Sequence, residues 1–308
     1  MKPLISVVMS IYNPNEQYLA EQLVSIDKQD WDNLEIIVYN DNPDDADREQ
    51  FCRDCCKDHG VRYVHGTKNL GYRLAFEQLS VLAKGDYVVF SDQDDVWLPQ
   101  RISECVKVME DGGYVLSTCD RQVIDGEGTV LIPSWRDAHP KSRQDTWCSG
   151  DQILPYAAFS CFSIGMATMV RRDVLEQCLP FPSSTGHDRW IALCCGEIGP
   201  CAYVEKPLVQ YRRHGQNVSG LFAGVYSKSD WRRNRVELSN QVVCEFGRRF
   251  PHSESLERMR AFSDARMNGN AWGIWKNRDL APQVAYFELA LKIVPDPVFR
   301  AFLRRFSS

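Results

Sequence analysis

The chain lacks any run of about 18 consecutive apolar residues, which excludes a membrane-spanning helix of ordinary length. It also lacks an excess of positive charge. With 36 Lys and Arg against 41 Asp and Glu, the net charge of -5 argues against a general nucleic-acid binder, which carries a basic footprint. No secretion signal is visible: Lys2 precedes the apolar run Leu4–Ile11, but Ser6 and Ser10 interrupt it and no small-residue cleavage site follows. A cytoplasmic location is therefore expected, with the 12 cysteines as reduced thiols rather than a disulfide framework. Cys52-x-x-Cys55-Cys56 has the spacing of half a zinc site, and no second pair completes it. Nothing suggests disorder, since the charged fraction of 25% and hydrophobic fraction of 44% are those of a globular protein. A chain of 308 residues can bury a sizeable core in one large domain or two small ones.

What is present centres on Tyr87-Val88-Val89-Phe90-Ser91, an apolar, β-rich run that ends in Asp92, Asp94 and Asp95, with Pro99 placed for the first turn of a helix. Three carboxylates so close repel one another and push a pKa upward, unless a cation intervenes. Hard oxygen ligands suit Mg²⁺ or Mn²⁺, with substrate phosphate oxygens in the remaining positions. An acidic turn also suits simple helix capping, and for an isolated turn that is the commoner reason.

Around this turn the chain alternates. Leu4–Ile11 reads as a strand buried on both faces, Glu16 to Gln29 as an amphipathic helix, and Glu35–Asn40 as a second buried strand. A helix from Arg48 to His59, a short strand over Val61–His65, a turn at Gly66–Gly71 and a helix from Tyr72 to Ala83 lead into the Tyr87 strand. Strand and helix in alternation predict a parallel sheet, and ligands of such sheets bind beyond the carboxyl ends of the strands. Asn13, Asp41, Asn69 and Asp92 all fall at those ends and are expected to line one crevice.

Further on come a helix from Gln100 to Asp111, a strand over Tyr114–Cys119 and a hairpin turn at Asp125–Gly128. Residues 133–155 show no periodicity and read as a mobile, lid-like loop. A strand over Gly165–Val170 is followed by a helical turn from Arg171 to Leu175, and strands are expected at Ala202–Val204 and Leu208–Tyr211. Gly186-His187-Asp188-Arg189-Trp190 opens an apolar helix, where Asp188 suits either a pocket or a cap. From Asp230 on, the chain becomes helical, with basic and aromatic clusters at Trp231-Arg232-Arg233, Arg248-Arg249-Phe250 and Phe299–Phe306. That composition suits a membrane surface or an acidic lipid-linked acceptor, and equally a packed helical tail with solvated arginines.

Ile5–Asn13, Leu34–Asp41, Asn69–Gly71, Ser91–Trp97, Gly186–Trp190 and Tyr211–Gly220 together resemble glycosyltransferase family 2 over about residues 4–220, with most likeness to bacterial rhamnosyltransferase-like members that build surface polysaccharide. The resemblance implies an α/β GT-A fold, Rossmann-like, with a mixed, mostly parallel central sheet flanked by helices. It implies a catalytic domain over 1–225, divided near residue 98 into nucleotide and acceptor halves, and a helical extension over 226–308. The activity implied is inverting sugar transfer from a UDP- or dTDP-sugar to a glycan or lipid-linked acceptor, dependent on Mn²⁺ or Mg²⁺.

By motif position, Asp188 matches the catalytic base. Asp41 is expected to accept from the base N–H of a uridine or thymidine, with Asp92 near the ribose and base. Asp94, with Asp95 as its competitor, and His214 match the metal ligands. Tyr12, Asn13, Asn69, Gly71 and Trp190 fall within the matched motifs on the substrate side, and Arg73 or Arg212 is expected to reach phosphate. Many relatives carry Asp-Asp-Gly-Ser after the second strand, whereas this chain has Asn40-Asp41-Asn42-Pro43. A silent sugar-nucleotide-binding module should lack a base or metal carboxylate, and none is missing. A nucleotidyltransferase should carry a Gly-rich basic loop after the first strand. Tyr12-Asn13-Pro14-Asn15-Glu16 offers neither glycine nor positive charge.

Overall fold

A computed structural model describes residues 2–214 and 224–304. Gly215 to Gly220 of the late motif, and Arg305 and Phe306 of the tail, lie outside the described residues. The chain divides into two compact units, one formed by residues 1–152, 162–181 and 186–214, the other by 153–161, 182–185 and 215–308.

The first unit is built on a nine-stranded sheet. β1 (Ile5–Ile11), β2 (Leu34–Asn40), β3 (Arg62–His65) and β4 (Tyr87–Ser91) alternate with α1 (Glu16–Asp27), α2 (Ala46–Lys57) and α3 (Tyr72–Leu82). The order β3-β2-β1-β4 is parallel throughout. These strands carry near-continuous apolar runs because helices cover both faces of a parallel sheet. Ile5, Val7, Val8, Met9, Val88 and Val89 are accordingly fully buried.

The rest of the sheet is mixed. β5 (Val96–Trp97) precedes α4 (Arg101–Gly112), and β6 (Leu116–Ile124) turns back into β7 (Val130–Ile132). After the short helices α5 (Trp135–Ala138) and α6 (Arg143–Thr146) come β8 (Thr168–Arg171), α7 (Arg172–Cys178), α8 (His187–Ile198) and β9 (Cys201–Arg212). β8 runs antiparallel between β4 and β6, β9 lies parallel to β6, and β5 pairs antiparallel with the end of β9.

Three local expectations change. The two strands expected over Ala202–Tyr211 are one continuous β9, whose register against β6 shifts where Asp120 faces Pro207, since proline has no N–H to donate to the ladder. The start of the strand expected at Gly165 is a 3₁₀ turn, Gly165–Ala167, before β8 begins. The segment after residue 133 is not a structureless loop. The buried Asp120 carboxylate accepts from the Ser134 hydroxyl at 2.6 Å and the Arg136 N–H at 3.0 Å, which anchors α5. Polar pins of this kind leave no hydrophobic periodicity to read. Cys52 and Cys56, from the half zinc spacing, pack into the core from α2, where burial pushes both thiols up to about 12.

The second unit contains α9 (Lys228–Trp231), a wider π-helical turn over Arg232–Glu237, α10 (Leu238–Arg249), α11 (Leu256–Met267), α12 (Ala271–Lys276), α13 (Pro282–Ile293) and α14 (Asp296–Arg304). Val225, Trp231, Val236, Phe299 and Leu303 form one of its buried clusters. No described helix is long and apolar enough to cross a membrane.

Candidate active site

The carboxyl ends of β1, β2 and β4 lie side by side, because these strands pair in parallel, and the predicted crevice residues follow them. Asn13, just past β1, has φ 45°, a left-handed conformation that asparagine tolerates better than most residues. Its Oδ1 accepts from Asn42 Nδ2 at 2.6 Å, tying the β1 end to the β2 end. Tyr12, 49% exposed, is joined to the acidic turn through its backbone: its N–H donates to Gln93 Oε1 at 2.8 Å and its carbonyl accepts from Gln93 Nε2 at 3.1 Å. Gln93 is a residue that sequence reasoning missed. An amide in that position is the one side chain between the acids that both donates and accepts.

Asp41 is nearly enclosed. Its two oxygens accept from the N–H groups of Leu70, 2.6 Å, and Gly71, 2.8 Å. Burial pushes its pKa up and these two donors pull it back. Gly71 adopts φ 75°, as the turn into α3 requires, and its N–H is shared with Asn69 Oδ1 at 2.9 Å. The first task of Asp41 is thus to organise the Asn69–Gly71 turn. A carboxylate has about four lone-pair sites, so it retains acceptor capacity for a ligand N–H.

The acidic turn separates its three carboxylates by role. Asp94 Oδ2 lies 2.8 Å from His214 Nε2, with both side chains about one-fifth exposed. Asp95 is turned inward and fully buried; its Oδ1 accepts the Arg212 N–H at 3.0 Å, and Oδ2 meets no hydrogen-bond donor. Burial, then the charges of Asp92 and Asp94, hold its pKa well above the usual carboxylate range. Asp92 is pushed up to about 7, first by burial, then by the Asp94 and Asp188 carboxylates, with Arg101 opposing. Asp188, far away in sequence, thus belongs to the same electrostatic neighbourhood.

Asp188 opens α8, whose N-terminal partial charge favours an anion. Its Oδ1 accepts from the Arg189 N–H at 2.7 Å. The preceding Gly186 is confined: a Cβ there would stand 2.8 Å from Asp188 Oδ1 and 3.4 Å from the Tyr72 hydroxyl. Tyr72 therefore lies beside Asp188, and burial followed by the Asp188 charge raises its pKa. In the sequence Tyr72 marks only the start of a helix, and no local signal points to its place here. His187 turns away into Phe76, Phe90 and Phe181, with ring centroids at 4.2, 5.2 and 6.3 Å. Neither of its ring nitrogens finds a hydrogen-bond partner, and burial pushes its pKa down to about 4, partly opposed by Asp188.

Three residues expected on the substrate side make hydrogen bonds within the protein. Arg73 Nη1 donates to the Phe181 carbonyl at 2.7 Å. Trp190 is buried in α8 and its indole N–H donates to the Cys178 carbonyl at 2.8 Å. Arg212, 1% exposed, donates to Glu21 Oε2 at 2.6 Å, the Asp94 carbonyl at 2.9 Å and the Gly126 carbonyl at 3.1 Å, and lies over the Tyr18 ring. A guanidinium so engaged braces the acidic turn. The Asp95 carboxylate is enclosed and faces the end of β9, whereas that of Asp94 is partly exposed.

The partly exposed donors of the turn are one carboxylate, Asp94, and one imidazole, His214. No cluster of three or more metal-ligating side chains occurs among the described residues. A carboxylate and an imidazole in contact fit a divalent cation of the Mn²⁺ type when diphosphate oxygens complete the coordination.

The family model described as Glycosyl transferase family 2 matches residues 6–179. An uncharacterized glycosyltransferase of Methanocaldococcus jannaschii is 34% identical over 217 residues, covering 68% of this chain and 71% of the relative. Another from Nostoc sp. is 25% identical over 283 residues, covering 88% and 86%. Among solved structures, S. aureus TarS 1-349 in complex with UDP-GlcNAc aligns with a TM-score of 0.63 at 15% identity, over 92% of this chain and 82% of that one. Mannosyltransferase PcManGT from Pyrobaculum calidifontis, in complex with GDP-Man and Mn2+, aligns with a TM-score of 0.58 at 19% identity, over 100% and 80%. At such identities these two structures speak for the fold.

Proposed function

Since the chain belongs to glycosyl transferase family 2 and is a glycosyltransferase of GT-A fold, we propose that it is a metal-dependent, inverting enzyme that moves a sugar from a UDP- or dTDP-sugar to a hydroxyl of a glycan or lipid-linked acceptor, in surface polysaccharide synthesis. The observation that carries this reading is the contact of Asp94 with His214 at 2.8 Å, in the same neighbourhood as Asp188.

Asp94 and His214 would hold the cation, which when bound acts as a Lewis acid on the leaving diphosphate. Asp188 takes the proton from the acceptor hydroxyl as that oxygen attacks the anomeric carbon from the face opposite the diphosphate. The bond from the anomeric carbon to the diphosphate oxygen breaks, the nucleoside diphosphate leaves, and one displacement inverts the configuration. Tyr72, next to Asp188, is placed to orient the acceptor. Asp41, with the Asn69–Gly71 turn it organises, and Tyr12 and Asn13 at the β1 end form the side assigned to the nucleoside, with Asp92 beside the ribose.

Calorimetric titration of the protein with UDP, dTDP, GDP and CMP, each with and without Mn²⁺, tests the donor side. Metal-dependent binding of UDP or dTDP alone is the expected result. GDP as the preferred ligand would move the donor assignment towards that of the mannosyltransferase solved with GDP-Man. Binding of none by folded protein would favour a silent module.

A further inference from the structure

The second unit carries an outward face that the transfer chemistry leaves unused. We propose that the α12–α13 hairpin docks the protein on an anionic membrane surface, with its aromatic rings in the headgroup layer and its cations over the lipid phosphates. This rests on the second unit alone and is independent of the donor and metal assignments.

Charge is divided unevenly along the chain. Residues 2–214 contain 21 Lys and Arg against 32 Asp and Glu, a net -11, whereas residues 224–304 contain 14 against nine, a net +5. An acidic protein with one basic helical unit is drawn to a negative surface through that unit.

Apolar exposure falls in the same place. Trp272 is 71% exposed, Trp275 42%, Tyr286 52% and Ile293 83%. Trp272, Trp275 and Lys276 are spaced i, i+3 and i+4, the Trp275 ring lies 6.1 Å from Tyr286, and Tyr286 and Ile293 are two turns apart on α13, so these side chains share a face. Arg278 lies over Trp275 at 4.2 Å, and Lys276 is exposed beside it. The hairpin's own acids are engaged from α11: Arg258 holds Asp279 at 2.6 Å, and Arg266 holds the buried Glu288 at 2.8 Å. Lys276, Arg278 and Lys292 therefore give the hairpin surface its sign.

Trp and Tyr interleaved with cations suit a headgroup layer, where an amphipathic ring has both an apolar and a polar side. Trp, Tyr and Arg are common at protein interfaces as well, and it is the exposed Lys276 and Lys292, of a residue type depleted there, that set this face apart from a protein-docking one. The basic and aromatic clusters legible in the sequence are not this face. Trp231, Phe299 and Leu303 fill the core of the unit, and Arg232, Arg233, Arg248 and Arg300 pair with Glu237, Asp230, Glu245 and Asp296.

Flotation of the full chain with phosphatidylcholine vesicles, and with vesicles that also contain phosphatidylglycerol, tests the assignment. Salt-sensitive binding to the anionic vesicles alone is expected, weakened at least ~10-fold in a Trp272→Ala/Trp275→Ala variant and weakened also by Lys276→Glu. Both variants alter exposed side chains, and circular dichroism with a melting curve checks their fold. Absence of vesicle binding, or binding unchanged by both variants, overturns the proposal. A self-association lost in the tryptophan variant, without vesicle binding, assigns the face to a second copy of the chain instead.

Discussion

Asp94 Oδ2 and His214 Nε2 lie 2.8 Å apart although 120 positions separate them in the chain. The contact follows from the pairing of β5 with the end of β9, which brings the stretch after Asp94 against the residues before His214. Arg212 locks the pair in place by binding the Asp94 carbonyl through its side chain and the Asp95 carboxylate through its backbone N–H.

Metal response should therefore separate two neighbouring acids. Asp94→Ala and His214→Ala should each abolish most of the Mn²⁺ enhancement of nucleotide affinity. Asp95→Asn should keep it, because an amide oxygen can still accept the Arg212 N–H. Calorimetry of the three variants with and without Mn²⁺ decides; loss of the metal response in Asp95→Asn would restore that residue as a ligand.

Asp188→Asn removes the proposed proton acceptor and leaves the shape of the site. Transfer should fall by roughly 10²–10⁴, the usual scale for a positioned general base. Nucleotide affinity should stay within about twofold, since the base acts on the acceptor. Parallel loss of donor binding would falsify the assignment.

Gly186→Ala puts a methyl 2.8 Å from Asp188 Oδ1, and the carboxylate has to yield because it is the mobile partner. Displacement of a catalytic group by about 1 Å costs up to ~10² in rate. A fall in kcat of about tenfold or more is expected with an unchanged melting temperature. An equal fall in stability would show that the glycine serves the helix start rather than the base.

Arg212→Gln strips donors from Glu21, the Asp94 carbonyl and the Gly126 carbonyl at once. Breaking a buried charged network costs about 3–5 kcal/mol. The half-exposed Glu21 can regain water, so the lower end, about 3 kcal/mol, is expected in urea denaturation. A variant with wild-type stability but lost nucleotide binding would return Arg212 to the phosphate.

His187 sets an acid limit on stability. Its folded-state pKa of about 4 lies below the ordinary 6.5, so between those values the unfolded chain binds a proton that the folded chain does not. Stability then falls with falling pH across that window and levels off below it, by roughly 3 kcal/mol in all. His187→Phe should remove this component, so the stability difference between variant and wild type should grow from pH 7 to pH 4.5. A difference independent of pH would mean that His187 titrates normally in the folded chain.

Much of this was legible in the sequence. The alternation of buried strands and amphipathic helices over the first hundred residues is written in local periodicity, which is why α1 and α3 begin at Glu16 and Tyr72 as expected. Roles within a motif were less legible. Asp94 and Asp95 are adjacent and chemically identical, and only the direction of the turn sends one towards His214 and the other beneath β9. Arg73, Trp190 and Arg212 sit in or beside the motifs, yet each meets a carbonyl from a distant segment that no spacing reveals.

The amino-acid sequence by itself determined the family and the alternating strands and helices of the first hundred residues, because hydrophobic period and residue type are local properties. Only the tertiary structure decided which way each carboxylate of the turn faces, that Tyr72 stands beside Asp188, and that Trp272, Trp275 and Tyr286 of α12 and α13 are left exposed. Those outcomes depend on strand order and helix packing. They are set by contacts between residues tens to more than a hundred positions apart, where sequence pattern carries no signal.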